Sequence, residues 1–134
     1  MANLMMQHAS DDAVADWKRG IVETALAAQG LEAEIRCVRT SPTRSRRRAG
    51  FAARRTKSGV LAGFHARASD TIIDITDCPL ISDQLSRGLA FSRELAIAGG
   101  SRKGEILVHC TALEGGLDVS VEGGKPLDRD LRLE

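Results

Sequence analysis

A block of positive charge is the strongest chemical signal in this sequence. Ten lysine and arginine residues lie between Ile35 and Ser69, and this segment contains no aspartate or glutamate. Because planar guanidinium groups pair well with phosphate oxygens, the block predicts contact with the backbone of a nucleic acid. The candidate contact residues are Arg44, Arg46, Arg47, Arg48, Arg54, Arg55, Lys57 and Arg67.

A second interpretation of the same block is purely structural. Charged side chains on an edge strand keep a sheet from pairing with other chains, and this would need no ligand. Ten cations without an acid exceed what edge protection requires, so nucleic-acid contact is favoured. Within the block only Phe51 and Phe64 could stack on bases, and sequence-specific reading of bases is therefore not indicated.

Three widely spaced cysteines are the other groups that could do chemistry. Cys78, in the stretch DCPLI, could be a metal or cluster ligand, a reactive thiol, or a small buried apolar residue, which is the usual role of a lone cysteine. Cys37 and Cys110 are predicted to be core or strand residues. Their odd number and wide spacing argue against a secreted disulfide framework, so we expect a cytoplasmic protein.

Motifs of common catalytic and cofactor sites are absent from the sequence. It contains no G-x-G-x-x-G loop, P-loop, G-x-S-x-G elbow or H-E-x-x-H pair. The three histidines, His8, His65 and His109, are scattered along the chain. No apolar run approaches the roughly 18 to 20 residues that a membrane span needs. We therefore predict no catalytic residue in this chain and no membrane association.

Two helices are predicted from apolar residues at helical spacing. The first runs from about Asp11 to Gln29, after Ser10 as a candidate N-cap, and ends at Gly30. The second covers about Ser82 to Ala98 and is stopped by two glycines.

Five strands are predicted from alternating and β-branched residues. A turn at Lys57-Ser58-Gly59 joins the first two strands, and Glu114-Gly115-Gly116 joins the last two. The predicted strands are Arg46 to Arg55, Val60 to His65, Thr71 to Ile75, Glu105 to Leu113 and Leu117 to Val121.

The element order α-β-β-β-α-β-β predicts an α+β fold, an antiparallel sheet of about five strands with two helices packed on one face. We divide the chain into an N-terminal helix and connector, residues 1–40, and an α+β domain that carries all eight candidate contact residues, residues 41–134.

Taken together, these stretches resemble the S-adenosylmethionine-dependent RNA uracil-5-methyltransferases that act on 23S rRNA and tRNA. The run RRRAGFAARR, the hairpin return GVLAGFHARASDTIIDI and the stretch DCPLI are similar to the central domain of that family. The segment LMMQHAS, followed by a helix that carries Trp17, Lys18 and Arg19, is similar to the region after the family's iron–sulfur cysteines. The resemblance implies that the partner of the basic block is RNA, either rRNA or tRNA.

The resemblance also implies two cofactors for a full-length homologue, S-adenosylmethionine and a [4Fe-4S] cluster, and neither for this chain. Gln7, His8 and Cys78 match the family's pattern around the cluster, whereas its first three cysteine ligands have no counterpart here. Cys78 would then be a vestigial ligand, a reactive thiol near the start of the second helix. The family's methyltransferase domain and its oligonucleotide-binding barrel have no counterpart either.

Three functions follow from these observations. The first is a central-domain fragment of an RNA uracil-5-methyltransferase that holds RNA and is inactive alone. The second is a free-standing small RNA-binding protein without methyltransferase activity. The third is a truncated partner that docks on a full-length homologue.

Overall fold

The computed structural model describes residues 9–126, which fall into two units on either side of the peptide bond after Pro42. The first unit contains helix α1 (Asp11–Ala28) followed by irregular chain. Helix α1 begins at Ser10, whose side-chain oxygen accepts a hydrogen bond of 3.3 Å from the backbone N–H of Ala13. None of its residues is buried. Neither helix of the described residues combines the length and apolar character that crossing a bilayer needs.

The second unit is a five-stranded antiparallel sheet with one helix packed against it. The strands stand in the order β3-β2-β1-β4-β5, so the predicted α+β fold and its element order are confirmed. The prediction that both helices pack on the sheet is not confirmed, because α1 belongs to the first unit and buries none of its residues. Their bounds, with helix α2 between β3 and β4, are β1 (Arg48–Arg55), β2 (Val60–His65), β3 (Ile72–Asp74), α2 (Asp83–Ala98), β4 (Ile106–Leu113) and β5 (Gly116–Gly123).

The core lies between α2 and one face of the sheet. Strand β4 alternates buried and more exposed residues as predicted, with Ile106 and Val108 at most 2% exposed. Phe51 of β1 and Leu85 and Leu89 of α2 complete the centre of the core. Since burying one such side chain contributes about 1.5–3 kcal/mol, this interface is the main source of stability in the second unit.

The first strand begins two residues later than predicted, and backbone hydrogen bonds explain the difference. The backbone N–H of Arg46 donates to Leu80 O at 3.0 Å, and its carbonyl accepts from Ser82 N at 2.9 Å. Arg46 therefore forms an isolated parallel bridge with Ile81 instead of joining β1. This bridge ties the entrance of β1 to the segment that leads into α2.

Arg93 of α2 completes the outer edge of β2, which β3 is too short to cover. Its guanidinium group donates to Val60 O at 3.2 Å, to Ile75 O at 2.7 Å and to Asp74 Oδ1 at 2.7 Å. The same carboxylate oxygen accepts the backbone N–H of Ala62 at 2.9 Å. Helix α2 is thus held to the sheet edge by charge-assisted hydrogen bonds as well as by the core.

Asp74 should make the stability of the second unit depend on pH. The hydrogen bond from Ala62 N–H and then the bond from Arg93 hold the pKa of Asp74 below its ordinary value of 3.8. A carboxyl with a lowered folded-state pKa stabilises the fold above its ordinary pKa, and this stability is lost as the pH falls through the lower folded-state value. We expect Asp74→Asn to lower the free energy of unfolding near pH 6 and to flatten its decline below about pH 4.

Urea denaturation across this pH range measures the effect. Asp77→Asn is the comparison variant. Hydrogen bonds from Arg44 and then from Cys78 N–H also lower the pKa of Asp77. Asp77 does not bond the sheet edge, so the two variants separate the effect of a lowered pKa from the effect of the edge contact. An identical pH profile for wild type and Asp74→Asn would contradict the assignment.

Gly88 allows α2 to approach β4 closely. A Cβ atom at this position would lie 2.7 Å from Cys110 Sγ, closer than real Cβ contacts allow, and 3.2 Å from Leu117 Cδ2, which is a tight contact. We expect Gly88→Ala to lower the free energy of unfolding by about 1–3 kcal/mol, reduced by the helix propensity that alanine adds. In a Cys110→Ala background the loss should be smaller, because one clashing atom is gone.

Gly20 of α1 is a matched control, since a Cβ atom at that position would meet no neighbouring residue within 4 Å. Gly20→Ala should therefore not be destabilising. Urea denaturation followed by circular dichroism compares the variants, and equal losses at both glycines would show that close packing is not the cause.

Candidate nucleic-acid interface

Strand β1, which carries Arg48, Arg54 and Arg55 of the basic block, is the central strand of the sheet. β1 pairs with β2 on one side and with β4 on the other. The edge-protection interpretation of the charges is therefore wrong, because β1 has no free edge to protect. The positive charge needs another explanation, and contact with an anionic partner provides one.

Six of the eight predicted contact residues form two clusters at opposite ends of β1. At its start lies the arginine triplet, which we define as Arg46, Arg47 and Arg48. At its end lie Arg54 and Arg55, with Lys57 in the following turn. Arg55 lies seven residue steps along the extended strand from Arg48, a distance of roughly 23 Å. The contiguous run in the sequence is thus two separate positive surfaces in the fold.

Strand alternation directs the side chains of β1 to two faces. Phe51 and Ala53 point into the core beneath α2, so Arg48 and Arg54 belong to the opposite face. Gly50 lies between these two arginines on that face. The middle of β1 therefore presents little side-chain bulk there.

A histidine–carboxylate pair crosses this second face. His65 Nε2 of β2 lies 2.9 Å from Glu105 Oε1, which directly precedes β4, so the pair passes over the central strand. Ala52 is on the same face of β1 and is only 1% exposed. The acidic partner lowers the positive potential at the middle of the face, and the ends of β1 remain the more cationic regions.

Arg44 is engaged within the protein. Its guanidinium group forms a two-pronged contact with Asp77, with Nη2–Oδ2 at 2.7 Å and Nη1–Oδ1 at 3.2 Å, and it also lies 3.3 Å from Asp83 Oδ1. These contacts, with Asp77 first, raise the pKa of Arg44 above its ordinary value. RNA contact by Arg44 stays a prediction, but its charge is already offset by two carboxylates.

The other predicted contact residues differ in their surroundings. No carboxylate among residues 9–126 lies within ion-pair distance of the arginine triplet. The same holds for Arg54, Arg55 and Lys57. Arg67 is exposed in the turn between β2 and β3, and it has an interaction partner of its own. Arg102 was missed by the sequence prediction. It lies outside the acid-free block, but the fold brings it beside Arg55 and Lys57 in one cavity lining.

Comparison with known proteins identifies relatives of this chain. An uncharacterized RNA methyltransferase of Brucella suis is 35% identical over 127 residues, which are 95% of this chain and 31% of that protein. Another from Rhizobium meliloti has the same identity and coverage. The 23S rRNA (uracil(1939)-C(5))-methyltransferase of Halomonas elongata is 36% identical over 92 residues, 66% of this chain and 19% of that protein.

This chain is a homologue of RNA methyltransferases. The resemblance recognised from the arginine run, the hairpin and the DCPLI stretch is thereby confirmed. The chain spans about 31% of the length of the first curated relatives that it matches. No protein-family model matches it.

The cysteines do not fit the [4Fe-4S] cluster that the family resemblance implies. Cys78 is 5% exposed and packs in the core, and Cys110 is buried on β4 against Gly88. Burial, and then the carboxylate of Asp118, raises the pKa of the Cys110 thiol, which disfavours the thiolate that a cluster needs. No group of three potential metal ligands comes together among residues 9–126. Gln7 and His8, the other matched positions, lie outside the described residues.

The solvent exposure of the thiols corrects two sequence predictions. Cys37 is exposed on the irregular chain after α1, so its placement in a core or strand was wrong. Cys78 precedes the α2 N-cap Ser82 by four residues, but its burial contradicts the expectation of a reactive thiol. The prediction that Cys110 is a core residue is confirmed.

Thiol labelling under native conditions should therefore show one fast cysteine. We expect an aromatic disulfide reagent to react rapidly with Cys37 and slowly with the two buried thiols, because the reagent must reach the sulfur atom. Cys37→Ser should abolish the fast phase, and Cys78→Ser should leave it unchanged. Loss of the fast phase in Cys78→Ser would contradict the burial of that residue.

Proposed function

We propose that the second unit of this chain binds the sugar–phosphate backbone of RNA, as the RNA-holding part of an RNA methyltransferase. The observation that supports this most directly is a central strand with arginines at both ends that have no acidic partner among residues 9–126, in a chain whose relatives are named RNA methyltransferases. The Halomonas relative points to 23S rRNA and a uracil C5 position as the substrate class.

The proposed binding is largely independent of sequence. Guanidinium groups at the strand ends can reach phosphates, which position a nucleic acid without reading it. Phe51, one of the two aromatic residues of the block, is fully buried and packs on Phe64 with ring centroids 5.5 Å apart. Phe51 therefore cannot stack on a base, and selection of a particular uridine is assigned to other parts of a full-length enzyme.

The proposal assigns no step of methyl transfer to residues 9–126. S-adenosylmethionine remains an expectation for a full-length homologue, as does the cysteine that would attack the uracil ring. The target base must leave its stack for such chemistry, and holding the flanking backbone would assist this. In this proposal the second unit contributes affinity for RNA and no catalytic group.

A free-standing RNA-binding protein is the second candidate, and it would use the same arginines. The two candidates differ in what adjoins the unit. The nucleotide sequence on both sides of the reading frame separates them, because continuation into a methyltransferase domain supports the first and unrelated genes support the second.

Salt-dependent RNA binding tests the proposal. Each phosphate neutralised on a single strand contributes about 0.7 to the log–log salt slope, so replacing the triplet by alanine should lower the slope by up to about 2. Fluorescence anisotropy with a labelled single-stranded RNA at several salt concentrations measures it.

The matched control is Arg87→Gln, which removes an exposed cation of α2 that is not among the predicted contact residues. This variant should lower the slope by clearly less than the roughly 0.7 expected for one phosphate contact. Equal slopes for wild type and the triplet variant would place the contact surface elsewhere on the protein.

A further inference from the structure

A cationic notch lies at the turn between β1 and β2, at the end of β1 remote from the arginine triplet. We call it the hairpin notch. Its volume is about 440 Å³. Residues from the turn, from α2 and from the loop after α2 line it: Arg55, Thr56, Lys57, Gly59, Val60, Arg93, Ile97 and Arg102.

The charge of the hairpin notch is strongly positive. Arg55, Lys57 and Arg102 have no carboxylate within ion-pair distance among residues 9–126, and the described lining contains no acid. Arg93 is different, because Asp74 Oδ1 lies 2.7 Å from its Nη2 and offsets its charge. Three cations therefore face one small cavity without compensation inside the described protein.

The backbone on both sides of the hairpin notch is fixed by local hydrogen bonds. Thr56 donates to Gly59 O through its N–H at 2.7 Å and through its hydroxyl at 3.1 Å, which closes the turn that carries Lys57. On the other side, Ser101 Oγ accepts the N–H groups of Lys103 at 3.2 Å and Gly104 at 3.0 Å. Arg102 is thus carried by an ordered turn, so less conformational freedom is lost when it meets a ligand.

The partial negative charge at the C-terminal end of α2 disfavours anion binding here, but it is smaller than the positive charge of the notch. The carbonyl groups at a helix C-terminus act as about half a negative charge. One of them, Ile97 O, accepts a long hydrogen bond of 3.5 Å from Arg55 Nη1. This contact holds Arg55 at the notch, and three full positive charges exceed the half charge of the helix end.

We propose that the hairpin notch is a phosphate-binding site formed by Arg55, Lys57 and Arg102, and that its ligand in the cell is a backbone phosphate of RNA. The second part of this statement rests on the proposed function. Oxyanions of phosphate accept several charge-assisted hydrogen bonds at once, which suits two guanidinium groups and one ammonium group around a small cavity. The site adds Arg102 to the RNA-contacting residues and gives the protein a second contact about a strand length from the triplet.

Inorganic phosphate is the first probe. Its titration into the ¹⁵N-labelled protein should shift the amide resonances of Thr56 and Gly59, which line the hairpin notch, more than those of β5 at the far edge of the sheet. Arg102→Gln should suppress these shifts. Lys103→Gln is the matched control, because Lys103 is the adjacent exposed cation and does not line the notch.

RNA is the second probe, measured by anisotropy as a function of salt. Arg102→Gln should lower the slope by about 0.7 and Lys103→Gln by clearly less. Excess RNA should also displace inorganic phosphate from the notch. Phosphate that binds but is not displaced by RNA would identify free phosphate as the ligand and overturn the RNA assignment.

The remaining outcomes separate this inference from the proposed function. Equal effects of Arg102→Gln and Lys103→Gln would overturn the notch in favour of a diffuse positive field. A normal slope in Arg102→Gln together with a lowered slope in the triplet variant would overturn the notch and leave the proposed function intact. Phosphate shifts at Thr56 and Gly59 without any RNA binding would support the anion site and overturn the proposed function.

Discussion

The guanidinium group of Arg93 is the interaction on which the arrangement of the second unit depends. Strand β2 has six residues, but β3 pairs with only its last three. The carbonyl of Val60 therefore faces an edge where strand pairing stops, and Arg93 donates to it at 3.2 Å. The carbonyl of Ala62 already accepts the backbone N–H of Ile75 at 3.1 Å. A part-buried carbonyl left without a donor costs about 1–3 kcal/mol, so one side chain replaces the missing part of a strand.

The position of Arg93 also determines where the positive charges of β1 can go. Because Arg93 holds α2 against the β2 edge, the C-terminal end of α2 lies beside the end of β1, where Arg55 reaches Ile97 O. The loop after α2 then brings Arg102 to the same place. The charge of Arg93 is offset by Asp74. Arg93 lines the same cavity as Arg55, Lys57 and Arg102, which have no such partner among residues 9–126. Charge used for folding and charge exposed to a ligand are therefore adjacent but distinct.

Local patterns in the sequence were sufficient to predict the elements, whereas pairing between distant residues was not visible in it. Alternation along β4 and helical spacing along α2 depend on near neighbours, and both predictions were correct. Arg44 was grouped with the arginines predicted to contact RNA because no acid lies near it in sequence, but its partner Asp77 is 33 residues away. The same limit applies to Arg102, which joins Arg55 only through the turn after α2. Whether β1 lay at the edge or the centre of the sheet was likewise a question of strand order, which residue types along one strand do not decide.

Separation of the two basic clusters allows so much like charge on one strand. At physiological ionic strength charges are screened over about 8 Å, and the ends of β1 are roughly 23 Å apart, so repulsion between the clusters is small. Each cluster then has only its own internal repulsion to offset, and Gly50 and Ala52 leave the strand between them without further charge. Groups this far apart, with no direct contact between them, contribute nearly additively. An RNA strand long enough to reach both ends would gain the sum of two moderate contacts, whereas a shorter one would gain only one of them. Under the proposed function, the length of β1 would therefore favour extended polyanions over small phosphate compounds.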